Sequence, residues 1–177
     1  MLERGLADLS LRPLAGAVGS SPRVLLYLFG SKDGLTRALL ARARAEELDL
    51  LDGLHKPGRE GRVGLAVVAE QLWSWLTADE HRGLLTLWVE GYARSLIDPT
   101  GPWAGFAQAT VEDWLAVLAA TQPRAERRSA AGEARRTAVL AILRGALLDL
   151  LATGDRKRTT AAVRQQLAAL AVSEHQA

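Results

Sequence analysis

The 177-residue chain carries three histidines, His55, His81 and His175, and no cysteine. No histidine lies within four residues of another, or beside an acid pair at metal-ligand spacing. The absence of cysteine excludes disulfides, thiolate zinc sites, iron–sulfur clusters and a cysteine nucleophile. A Gly-rich phosphate loop, GxSxG and HExxH are also missing, so neither an enzyme nor a cofactor or metal site is expected. The chemistry on offer is that of cations and aromatic rings. Residues 1–44 hold Arg4, Arg12, Arg23, Lys32, Arg37, Arg42 and Arg44 against Glu3, Asp8 and Asp33, an excess of four positive charges in a chain whose net charge is +2. The planar fork of arginine suits phosphate; a solvated helix face would carry the same charges. All five tryptophans fall between positions 73 and 114, where Trp73, Trp75, Trp88, Trp103 and Trp114 are joined by Tyr92 and Phe106. Such rings suit the wall of a pocket for a hydrophobic or aromatic molecule, and equally the core of a helical bundle.

The elements that must position these groups are helices. Leu and Ala number 32 and 31, about a third of the chain, and both are strong helix formers. Ser10 caps a helix Leu11–Val18, and Gly19-Ser20 turns sharply. Ser21 caps a short helix Pro22–Leu28, with proline at its first position and Gly30 beyond its end. Ser31 opens a long helix to about Leu54, which His55-Lys56-Pro57-Gly58 breaks. Leu11, Leu14, Val18, Leu25, Phe29 and Leu35 have core spacing, and small Ala15 and Gly19 imply a close helix crossing.

Longer helices follow. Val63–Thr77 has a buried stripe of Leu65, Val68, Leu72, Trp75 and Leu76. Arg82–Leu96 sets Arg82, Thr86, Glu90 and Arg94 opposite Leu84, Leu85, Trp88, Tyr92 and Leu96, and Glu90 and Arg94 suit either a surface ion pair or ligand orientation. Trp103–Ala120 comes after the loop Asp98–Pro102, and the arginine-rich stretch Arg124–Arg136 reads as a solvated helix start. Glu133–Ala152 and Arg156–Val172, parted by Gly154 and capped by Asp155, close the chain. Each of these two helices carries a second apolar stripe of small residues: Ala138, Ala141, Gly145 and Leu148 on the first, Ala161 and Ala168 on the second. Two apolar faces imply two partners, the protein's own core and the same helix pair of a second copy. No apolar run approaches the roughly 20 residues of a membrane span, and Met1-Leu2-Glu3-Arg4 does not open a signal peptide. A cytoplasmic protein with no membrane partner is expected.

Two short helices around a Gly turn suggest a helix-turn-helix. The fuller run is more specific: Leu9-Ser10-Leu11-Arg12-Pro13-Leu14-Ala15, then Gly19-Ser20-Ser21-Pro22-Arg23-Val24-Leu25-Leu26-Tyr27-Leu28-Phe29-Gly30-Ser31-Lys32-Asp33-Gly34-Leu35. Across residues 2–44 it resembles the DNA-binding domain of the TetR family of bacterial transcriptional regulators. The resemblance implies an all-α protein with an N-terminal helix-turn-helix DNA-binding domain, residues 1–44, and a helical-bundle ligand-binding and dimerisation domain, residues 45–177. The second helix of the motif would enter the major groove, where its first turns reach base edges. It implies DNA contacts from Ser10, Arg12, Ser21, Pro22, Arg23, Leu26, Tyr27 and Lys32, with Tyr27 and Lys32 on phosphate. Arg23 suits a bidentate bond to guanine or a phosphate contact.

The sequence departs from the family pattern at Ser20, Leu26 and Leu28, where an apolar residue, a Tyr and a polar group are usual. It also retains only Leu2–Ala7 of a first helix that would brace Leu14 and Leu25, which implies an upstream start, a truncation or a partner that supplies the brace. By the same resemblance, Trp73, Trp88, Tyr92, Phe106 and Trp114 would line an effector cavity. The function so implied is a homodimeric repressor of a near-palindromic double-stranded operator, released by a small hydrophobic or aromatic effector. The alternative is a TetR-like protein that binds a ligand or a partner without binding DNA.

Overall fold

The computed structural model describes residues 10–38, 41–42, 64–101 and 103–175. The remnant Leu2–Ala7, the far part of the helix expected to reach Leu54, and its break at residues 55–58 lie outside the described residues. All regular structure among the described residues is helical, in the order α1 (Leu11–Ala17), α2 (Pro22–Phe29), α3 (32–38), α4 (Leu65–Leu76), a 3₁₀ turn (Asp79–His81), α5 (Arg82–Ile97), α6 (Phe106–Thr121), α7 (Arg124–Arg127), α8 (Ala130–Thr153) and α9 (Arg156–His175). Two compact units emerge, one of Met1–Gly53 with Gly83–Ala109 and the other of Leu54–Arg82 with Thr110–Ala177. This partition does not coincide with a single boundary after residue 44.

In the first unit, hydroxyl caps set the helix starts. Ser21 Oγ accepts from Val24 N at 3.3 Å, and Ser31 Oγ accepts from Gly34 N at 3.0 Å. Ser10 stands at the N-cap of α1 but makes no capping bond with its side chain. Gly19 and Gly30 hold φ of 63° and 72°, left-handed backbone that a side chain disfavours. An added Cβ at Gly19 would meet nothing within 4 Å. The glycine therefore serves the turn rather than a close helix crossing. Ala15, Leu25 and Leu35 form the nucleus, with Leu11 and Leu14 packed against it.

Two residues read as core lie outside that nucleus, Val18 at 65% and Phe29 at 37% exposure. On α2 only Leu25 is buried, so its last turn and the turn after α1 lie beyond the buried patch. Leu96, at the end of α5, is exposed, while Leu85 and Leu87 of that helix are buried.

The second unit is a helical bundle in which α9 contacts α8 and α4, α4 contacts α8, and α7 contacts α8. Leu65, Val68, Leu72 and Leu76 of α4, Leu140, Leu143, Leu147 and Leu150 of α8, and Val163 and Leu167 of α9 are buried. Each such side chain contributes about 1.5–3 kcal/mol on leaving water. Ion pairs flank the bundle, among them Arg164–Glu70, Arg158–Asp149 and Arg156–Asp79.

The stretch 124–136 differs from a solvated helix start. Arg127 donates to the carbonyls of Ala119 and Ala120 at 2.9 and 3.0 Å, satisfying the open end of α6. Buried Gln122 donates to Gly132 O at 2.9 Å, Arg135 pairs with Glu126, and α8 begins three residues before the expected Glu133, capped by Ser129. No helix among the described residues is long and apolar enough to cross a membrane.

Candidate functional site

The first unit carries the cations. Among residues 10–38 and 41–42, Arg12, Arg23, Lys32, Arg37 and Arg42 face one acid, Asp33, whose carboxylate accepts from Trp103 Nε1 at 3.0 Å. Arg12, Arg23 and Arg37 are exposed, and Lys32 is half-buried at the start of α3. Arg4 and Arg44 lie outside the described residues.

On α2 only Leu25 is buried. At 3.6 residues per turn the side opposite Leu25 is the line through Arg23 and Tyr27, with Val24 and Leu26 on its flanks. Tyr27 is 87% exposed, Val24 45% and Leu26 41%. Ser21, Pro22, Arg23, Leu26 and Tyr27 thus share one short helix with its cap, and Ser10 and Arg12 stand exposed at the start of the helix before it. The arrangement offers a guanidinium fork and a phenol, flanked by alkyl groups, to whatever lies over it.

The aromatic residues divide between the two units. In the first, Trp103 is buried with Leu87, and Leu84, Trp88 and Phe106 pack against the pair. Trp103 and Phe106 meet edge to face at 5.2 Å, and Trp88 and Tyr92 are tilted at 5.2 Å, both within the preferred range for such rings. Trp103 lies over Gly91: a Cβ there would fall 2.6 Å from Trp103 Cζ3. Glu90 and Arg94 form an i,i+4 pair at 2.9 Å, with Arg94 exposed and Glu90 half-buried.

In the second unit Trp73 is buried, and its Nε1 donates to Thr160 Oγ1 at 3.1 Å. This polar atom is therefore satisfied within the bundle. Trp114 is half-buried there. Trp75 stacks on His81 at 4.0 Å, and His81 Nδ1 lies 2.8 Å from the carbonyl of Trp75. Of the five rings read as a ligand wall, the structure brings Trp88, Tyr92 and Phe106 together in one unit and sets Trp73 and Trp114 in the other.

The bond from Trp103 to Asp33 escaped the sequence reading. Seventy residues separate the two, and no motif links a loop tryptophan to an acid at the start of α3. The small-residue stripe of α8 and α9 is largely uncovered. Ala141, Gly145, Leu148, Ala161 and Ala168 are exposed, and Ala138 is half-buried. Among the described residues no three acids or histidines gather as a metal site would require. Compared with known protein families, curated proteins and solved structures, the chain has no match.

Proposed function

We propose that the protein is a TetR-like transcriptional regulator, a homodimeric repressor that binds a near-palindromic operator and leaves it when a small hydrophobic or aromatic effector binds. One observation carries the reading: α1 and α2, joined by the Gly19 turn, turn outward a face bearing Arg23 and Tyr27 in a region with five described cations and one acid. In this reading α2 lies in the major groove, with Arg12, Tyr27 and Lys32 on phosphates and Ser10 and Ser21 beside them. Trp88, Tyr92 and Phe106, which lie in one unit, border the effector. Effector binding releases DNA only if it favours one arrangement of the two DNA-binding heads over the other.

The second copy covers Ala138, Ala141, Gly145 and Leu148 of α8 and Ala161 and Ala168 of α9 with its own equivalents. Small residues there let two helix pairs approach closely in a two-fold interface.

A fluorescence-anisotropy titration against DNA flanking the gene tests the proposal. Two cationic phosphate contacts per subunit, Arg12 and Lys32, make four in a dimer and give an affinity that falls about 10²-fold between about 50 and 200 mM salt. Binding without that salt dependence, or none, overturns it. A second reading, a sensor that does not bind DNA, is favoured by the exposed Val18, Leu26 and Leu28 around the motif. It predicts a folded dimer that takes up an aromatic ligand and shows no DNA affinity at any salt concentration.

A further inference from the structure

Resting on the DNA-binding reading above, we infer that α2 reads thymine methyl groups on either side of a guanine, with Leu26 and Val24 as the residues that set this specificity. The outward line of α2 holds two side chains that can hydrogen-bond a base edge or phosphate, Arg23 and Tyr27, and both flanks of that line are alkyl. Ser21 spends an oxygen lone pair on Val24 N, and Pro22 has no polar side chain. Val24 and Leu26 are each close to half exposed although large and apolar, because the nucleus of Ala15, Leu25 and Leu35 covers only the opposite side of the helix.

A partner with negative charge and apolar points set between hydrogen-bonding ones fits this face. The exposed Arg12, Arg23 and Arg37 select the polyanion. Within the major groove, the apolar feature of an unmodified base edge is the C5-methyl of thymine, and the best match for a guanidinium fork is guanine O6 and N7. Arg23 between Val24 and Leu26 therefore calls for guanine with thymine nearby on both sides.

The full-length chain is mixed with double-stranded oligonucleotides of randomised centre, and the retained duplexes are sequenced. The preferred duplex is then remade with each thymine replaced in turn by deoxyuridine, which removes one methyl and keeps every hydrogen bond. The expected half-site holds a guanine with thymine within two base pairs on each side. Loss of either methyl weakens binding about four-fold, the effect of leaving one methyl group unburied. In the Leu26→Ala protein the ratio of thymine to uracil affinity falls to about one at one of these positions. Half-sites without thymine near the guanine, or equal affinity for uracil at every position, overturn the inference. Duplex retained without sequence enrichment overturns it too and leaves the DNA-binding reading standing. Retention of no duplex at low salt overturns both. The uracil series changes only the DNA, so its result does not depend on a variant folding.

Discussion

Trp103 concentrates the energetics of the first unit in one side chain. Its ring is buried against Leu87 and rests on Gly91, and its single donor is taken by Asp33. Asp33→Ala strands that buried N–H, and denaturant unfolding is expected to show a loss of about 1–3 kcal/mol. Asp33→Asn keeps an acceptor and should recover most of it. Adding Trp103→Phe to Asp33→Ala should then cost less than the two single changes together, since each removes the same bond. Gly91→Ala drives a methyl into the indole face, and a ring so enclosed has little room to move. Overpacking of this kind costs about 1–3 kcal/mol, and a thermal melt beside wild type measures it. No loss in either experiment would show that Trp103 is not held as described.

At the scale of elements, caps and ion pairs set where helices begin and which ones meet. Ser129 Oγ accepts from Gly132 N at 3.0 Å at the start of the 24-residue α8. Ser129→Ala should lower stability by about 1 kcal/mol, read as a shifted urea midpoint with an unchanged slope. Arg158 donates to both carboxylate oxygens of Asp149 at 2.6 and 2.7 Å across the turn between α8 and α9. The hydrogen bond from Arg158 holds the Asp149 carboxyl below its ordinary value. A depressed folded-state value means that the contribution is complete above the unfolded-state pKa and is lost as pH falls through the folded one. Both groups are solvent-exposed, so salt weakens the pair. Asp149→Asn should lower stability slightly at neutral pH, where the contribution is complete, and leave it unchanged in strong acid, so that the acid limb below about pH 4 flattens by the same small amount; an identical acid limb would remove Asp149 from that account.

At the scale of the whole molecule, the proposed second copy would cover the apolar faces left open on α8 and α9. Leu148 is half-exposed near the end of α8, one turn after Gly145, where an added Cβ would touch nothing. If the second copy sits there, Leu148→Glu places like charges opposite each other at the two-fold axis. Sedimentation at micromolar concentration should then show a monomer where the parent chain is a dimer, and operator affinity should fall with it. A Leu148→Glu dimer would move the interface elsewhere.

Local chemistry made much of this protein legible in its sequence. The helical composition, the caps Ser21, Ser31 and Asp155, and the turns at Gly19 and Gly30 act over three or four residues, so residue type alone specifies them. The buried leucines and valines of α4, α8 and α9 follow from helical periodicity, although on α4 the buried ring is Trp73 and not Trp75 of the expected stripe. Tertiary structure decided the rest. Val18 and Phe29 have core spacing yet stand exposed, because burial depends on how far the neighbouring helices extend. Arg127 was read as a solvated cation and instead closes the end of α6, because a long side chain can reach carbonyls that sequence spacing does not place. Seven aromatic residues drew together in sequence over positions 73–114, but the fold divided them between two units. It also joined Trp103 to Asp33, seventy residues away, because a buried N–H takes whichever acceptor the packing brings within 3 Å.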